Sequence, residues 1–176
     1  MRLITFALAL APMAAFAAGG GTSTPPTPSE TTTVCEEGMV WDLARETCLP
    51  PEESTNEDSA RLNDARELAY EGYLQAALDV LETMENQNDT MALTYYGFVY
   101  RSQGDVDRGM AYYQAALAVD PDNILARSYM GQGYVSMGEV ELAKAELTEI
   151  RARGGRSTWA EFSLDQAIGT GVTYSY

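Results

Sequence analysis

Between residues 90 and 123 the apolar and small residues fall at helical spacing twice over. Leu93, Tyr96, Gly97 and Tyr100 stand at i, i+3, i+4 and i+7, which gathers them on one face of a first helix. Gln103-Gly104-Asp105 interrupts it. Met110, Tyr113, Ala116 and Leu117 then form the face of a second helix that stops at Asp120-Pro121-Asp122-Asn123. Gly97 and Gly109 leave room for the two helices to approach, and Pro121 cannot continue a helix but can begin the next. The predicted unit is a helical hairpin.

The same pattern returns along the chain. Gly131, Tyr134 and Gly138 lie 34 residues after Gly97, Tyr100 and Gly104, a self-similarity that marks a repeat architecture. Upstream, Ala65, Leu68, Gly72, Ala77, Leu81 and Met84 precede Gly97, Tyr100, Gly104, Gly109, Tyr113 and Ala116 by 32 residues, so the first copy is two residues short. A tightened loop at Glu85 to Asp89, where Asn and Asp cluster, would account for the deficit. Hairpins are thus expected at 58–89, 90–123 and 124–157. Thr158-Trp159-Ala160-Glu161 has the form of a capping box opening a last helix over 158–168, with Trp159, Phe162 and Leu164 on its inner face. Such a helix closes the open end of a stack. The tail 169–176, with Tyr174 and Tyr176, reads as irregular.

These positions resemble the tetratricopeptide repeat (TPR) family, in which an apolar residue, Leu, Gly or Ala, Tyr, Ala, an aromatic, Ala and Pro recur at set places. In the middle copy those places hold Leu93, Tyr96, Gly97, Tyr100, Gly109, Tyr113, Ala116 and Pro121. In the third they hold Arg127, Met130, Gly131, Tyr134, Ala143, Leu147, Ile150 and Gly155, which departs from the family at its first and last members. The resemblance covers about 58–157. It implies an all-α fold, a short α-solenoid of about three hairpins with a capping helix. It also implies a non-enzymatic interaction module, because TPR arrays hold a peptide or partner helix on the inner surface of each repeat's first helix. Carried over by position, that groove comprises Arg66 and Tyr70, then Thr94, Phe98 and Arg101, then Ser128 and Gln132. Chaperone-binding members clamp a carboxylate with Lys and Asn, but here the corresponding positions include Leu62, Thr94, Phe98 and Gln132, so that clamp is not reproduced. Self-association into a homo-oligomer by end-to-end stacking is the alternative.

Ahead of the repeats the patterning changes. Met1-Arg2, the apolar run Leu3 to Phe16 and the small residues of Ala15-Phe16-Ala17 predict a signal peptide, 1–17, cut after Ala17. The periplasm is the expected destination, with release outside the cell as its alternative. Residues 18–34, rich in Gly, Ser, Thr and Pro, read as a disordered tether, and 49–57 as a second linker. Between them Cys35 and Cys48 are expected to form a disulfide, which would stabilise a loop of this size by about 3 kcal/mol. That loop, 35–48, offers only Met39, Val40, Trp41 and Leu43 as core, and it is a second candidate binding element.

Composition removes whole classes of function. With 26 acidic against 11 basic residues and a formal charge of −15, the chain has no means of neutralising a row of phosphates or an anionic bilayer. No later segment is long and apolar enough to span a membrane. The chain contains no histidine, so Ser-His, Cys-His and His-metal sites are excluded. Gly131-Gln132-Gly133 lacks the third glycine and the preceding strand of a dinucleotide loop, and the Asp105/Asp107 and Asp120/Asp122 pairs fall at inter-helix turns where Asp serves as a cap. No cofactor, metal or catalytic residue is expected. Tyr95, Tyr96, Tyr112, Tyr113 and Tyr129 sit at helical spacing as packing residues.

Overall fold

The computed structural model describes residues 28–173. The expected signal peptide, the tether up to residue 27, and Tyr174 and Tyr176 lie outside the described residues. The chain runs through α1 (Glu30–Thr33), the antiparallel pair β1 (Val40–Asp42) and β2 (Thr47–Leu49), and then three helical hairpins. These are α2 (Asp58–Tyr70) with α3 (Leu74–Glu82), α4 (Thr90–Ser102) with α5 (Val106–Val119), and α6 (Ile124–Ser136) with α7 (Val140–Ala152). A last helix, α8 (Trp159–Thr170), follows. The first helices form a row, α4 packing on α2, α6 on α4 and α8 on α6, so the architecture is the all-α solenoid that the repeat predicts.

The recurring glycines make the turns within the hairpins. Gly72, Gly104 and Gly138 have φ of +86°, +90° and +80°, the left-handed region where a Cβ is penalised. Each sits one residue past a helix cap, and the N–H beyond it returns to a carbonyl inside the helix: Tyr73 to Leu68, Asp105 to Tyr100, Glu139 to Tyr134. The recurrent Gly, four residues after Leu68, Tyr100 and Tyr134, is therefore a helix-stop device repeated in every hairpin. Gly97 and Gly109 hold α4 against α5, because a Cβ on Gly109 would lie 2.8 Å from the Gly97 carbonyl oxygen.

The short first repeat is explained differently from the sequence expectation. The 83–89 connection is not tightened; instead α3 is cut to 9 residues where α5 has 14. The connection is held open by Asp58, whose carboxylate accepts the N–H groups of Glu85 and Asn86, and by the Gln87 amide, which donates to the Leu81 and Met84 carbonyls. Those contacts satisfy backbone groups that another helical turn would have used.

The N-terminal part also departs from a free tether. Ser29 caps one helical turn at Glu30–Thr33, and Thr31 is buried with its hydroxyl donating 2.6 Å to Asp64 of α2. The Ser29 N–H and hydroxyl both donate to Glu67. Residues 49–57 are likewise fastened, since the Arg61 guanidinium donates to the carbonyls of Asn56, Ser54 and Thr83. Cys35 and Cys48 are bridged, with Cα atoms 5.5 Å apart. Of the residues expected to fill that unit, Val40 is buried but Leu43 is 64% exposed. Asp42 takes over as the organiser: fully buried, it accepts the N–H groups of Ala44, Arg45 and Thr55 and the Thr55 hydroxyl. Those donors, the Thr55 N–H foremost, hold its carboxyl down to a pKa of about 2.

A continuous core runs from Val40 through the first two hairpins to Met130, and a second joins α6, α7 and α8 through Val135, Leu147, Ile150 and Leu164. Thr158 caps α8 by accepting the Glu161 N–H. Trp159 and Leu164 face inward as expected, but Phe162 is 47% exposed; its place on the inner face is taken by Ala160, Ser163 and Ala167. Where the third repeat departs from the TPR signature, the structure compensates. Arg127 donates to Glu146 and to the Pro121 carbonyl, and a Cβ at Gly155 would meet Ile150 at 2.5 Å.

Candidate functional site

The seven positions assigned to a groove all lie along the row of first helices, and the structure gives them three different jobs. Thr94 is fully buried; its hydroxyl donates 2.7 Å to the Thr90 carbonyl and accepts from the Asn123 amide at 3.0 Å. Asn123 also caps α6 through the Ala126 N–H, so Thr94 helps tie the second repeat to the third. Ser128 and Gln132 are buried against α8, where the Ser128 hydroxyl meets Ser163 at 3.0 Å and the Gln132 amide lies 3.4 Å from the same oxygen. The expected polar groove surface at these three positions is thus inter-helix hydrogen bonding. A hydroxyl or amide between packed helices must find partners within the protein.

Tyr70 and Phe98 belong to an aromatic cluster. Their ring centroids are 5.3 Å apart at 67°, and Phe98 lies 5.1 Å from Tyr129. The Tyr70 and Tyr129 hydroxyls are hydrogen-bonded, and Tyr113 of α5 completes the group 6.3 Å from Tyr129. Three successive first helices thereby contribute one ring each. Burial pushes the Tyr70 phenol up and that of Tyr113 to about 12, so both are neutral at physiological pH. A separate stack of Tyr96, Tyr100 and Tyr112, with the Arg108 guanidinium 3.7 Å over Tyr100, joins α4 to α5. Helical spacing marks Tyr129 and Tyr113 as packing residues, and the recurrence of Tyr95 as Tyr129 at the 34-residue offset is the sequence signal for this position.

The two arginines are placed unlike the rest. Arg101, buried, sits with its guanidinium 5.7 Å from the Phe98 centroid and its Nε donating 3.3 Å to the Tyr113 hydroxyl. Its Nη2 is buried with no acceptor, and so is Nε of Arg66, whose charge is felt by Tyr70 and Tyr95. A buried donor left without an acceptor costs about 1–3 kcal/mol, more when it carries charge.

Among the described residues no cluster of three or more Cys, Asp or Glu gathers closely enough to hold a metal ion, and no helix is long and apolar enough to cross a membrane. The bridged N-terminal unit borders a cavity against α3, whose lining includes Pro50, Pro51, Glu52, Asp79 and Glu82. A tetratricopeptide-repeat family model matches residues 100–161, from the end of α4 to the start of α8. No curated protein and no solved structure gives a significant match. The match supports a TPR-type repeat over this stretch, and such repeats generally mediate protein–protein interaction.

Proposed function

We propose that this chain is an exported, non-enzymatic interaction module that takes a peptide or partner helix against its first helices, at the cluster around Phe98. The observation that carries this is the convergence there of Tyr70, Phe98 and Tyr129 from three successive first helices. Aromatic rings bring large apolar area with few torsions to order, which suits recognition. Export is supported by the signal-like start of the chain and by the Cys35–Cys48 bridge, which persists in an oxidising compartment.

Panning the purified chain against a random-peptide display library tests binding. Peptides should be enriched whose affinity drops in a Phe98→Ala variant that keeps its helical circular dichroism. Recovery of no Phe98-dependent binder removes the reading. Expression in a Gram-negative host with osmotic-shock fractionation tests export: the protein should appear in the periplasmic fraction with an intact mass beginning at Ala18, and full-length cytosolic material refutes it.

A further inference from the structure

We infer that two copies of this chain associate through α8, set antiparallel so that Phe162 of each seats against Gly169 of the other. The inference is independent of peptide binding at the Phe98 cluster. Counted from the capping residues Asp89, Asn123 and Thr158, α8 has the register of a first helix. Phe162 takes the place of Leu93 and Arg127, Asp165 of Tyr96 and Met130, Gln166 of Gly97 and Gly131, and Gly169 of Tyr100 and Tyr134. On α4 this face meets the second helix of its own hairpin: Leu93 clusters with Ala116, Tyr96 and Tyr100 stack on Tyr112, and Gly97 lies under the Tyr113 ring. On α6, Arg127 pairs with Glu146 of α7. On α8 all four positions are exposed, Phe162 to 47% although one side of its ring rests on Trp159. Helices α5 and α7 begin two residues beyond Gly104 and Gly138, whereas Val172 and Thr173, which follow the left-handed Gly171, are not helical. Among the described residues, α8 is thus a first helix whose hairpin face is uncovered.

Two replacements on that face decide what fits it. Gln166 stands where Gly97 lets α5 approach, so a mate docked in the manner of α5 is kept off. Gly169 stands where Tyr100 and Tyr134 fill the contact, which leaves a hollow in the last turn. A Cβ there would meet nothing within 4 Å, so the glycine serves no close approach within the chain. Phe162, Asp165, Gln166 and Gly169 share one helix face at i, i+3, i+4 and i+7. When a second α8 lies antiparallel across a two-fold axis between Asp165 and Gln166, Phe162 faces the hollow at Gly169 of the other copy. Asp165 then faces Gln166 of that copy, whose amide can donate to the carboxylate. Large meets small and acceptor meets donor, each contact made twice by symmetry. Asp165 also keeps Arg151 of its own chain at 3.2 Å, which offsets its charge. The far end of the stack is closed to a second copy: Ser29 and Thr31 are bonded to Glu67 and Asp64 of α2, and Val40 joins the core there. Copies therefore cannot add head to tail, and association stops at two.

Each copy carries a formal charge of −15, which opposes the pairing at a distance and is screened by salt. Two helices of 12 residues cover less than the roughly 1,200 Å² of a permanent complex, so monomer and dimer should exchange. Sedimentation equilibrium of the purified chain over a wide concentration range should give a reversible monomer–dimer isotherm that tightens as salt is raised. Phe162→Ala, at an exposed position, and Gly169→Leu, which fills the hollow, should each weaken the dimer at least about tenfold and leave the helical circular dichroism unchanged. Should either variant lose helix, Gln166→Glu, which sets a carboxylate against Asp165 of the other copy, should weaken the dimer to a similar degree. A chain that stays monomeric at every concentration and salt overturns the inference. So does a dimer that a folded variant leaves at the parent affinity, and so do polymers that lengthen with concentration. None of these outcomes bears on Phe98-dependent peptide binding.

Discussion

At the scale of single residues, two buried aspartates in the N-terminal unit respond to pH in opposite senses. Asp42 is held at about 2, below its ordinary 3.8, by the Thr55 N–H and its other donors, so its contribution is full above about pH 4 and is lost as pH falls towards 2. Asp64 is raised, chiefly by burial, against the hydrogen bonds from Thr31 and Asn56. Its folded form holds a proton more tightly than the unfolded chain, so that contribution favours folding below pH 3.8 and is lost as pH rises through the raised value. Asp42→Asn should therefore abolish the acid-side loss of protection at amides 40–56, and Asp64→Asn should flatten the dependence above pH 4; hydrogen exchange against pH reads both. Thr94→Val tests whether that position serves packing. It removes bonds to Thr90 and Asn123, and should cost about 1–2 kcal/mol in a urea melt while leaving the affinity for selected peptides unchanged.

Among the helices, small residues at similar places have unlike consequences. A methyl on Gly109 meets the Gly97 carbonyl oxygen at 2.8 Å, and backbone cannot step aside without separating α4 from α5. Gly109→Ala should destabilise by about 1–3 kcal/mol despite alanine's better helix propensity. A methyl on Gly133 meets only the sulfur of Met110 at 2.6 Å, and a methionine can turn its flexible end away. Gly133→Ala should be neutral or stabilise by up to about 1 kcal/mol. Gly104→Ala has open space but a φ of +90°, so its cost of about 1–2 kcal/mol comes from backbone strain alone. Thermal melts of the three variants rank them, and a Gly109→Ala protein as stable as the parent would contradict the close-contact account.

For the whole molecule, the bridged unit caps one end of the stack and α8 the other. The unit holds on by polar contacts from Ser29, Thr31 and Asn56 to α2, with few apolar groups besides Val40. Converting Cys35 and Cys48 to Ser should cost it about 3 kcal/mol. Because the main core lies in the hairpins, the array should stay helical while residues 29–56 become open to protease. Limited proteolysis with mass spectrometry checks this; simultaneous collapse of the helices would show that cap and array fold as one unit.

The 3.6-residue periodicity and the 34-residue recurrence determined the hairpins, their order and the left-handed glycine turns, because each depends on residues close in sequence. Assigning Cys35 to Cys48 needed nothing beyond there being two cysteines in the chain. Tertiary structure decided what local pattern cannot express. It shortened α3 in place of its loop, because Asp58 reaches across from another helix. It pinned the segment from Ser29 by bonds to Glu67 across 38 residues, and turned Phe162 outward because α8 fits against α6 on its small residues. The seven positions carried over from the family all fall on α2, α4 and α6. Only three-dimensional packing could divide them into Thr94, Ser128 and Gln132, whose hydrogen bonds close the helix row, Tyr70 and Phe98 in the ring cluster, and Arg66 and Arg101 with donors unmet. Whether a buried donor finds an acceptor depends on which distant elements arrive beside it, and that is a property of the fold.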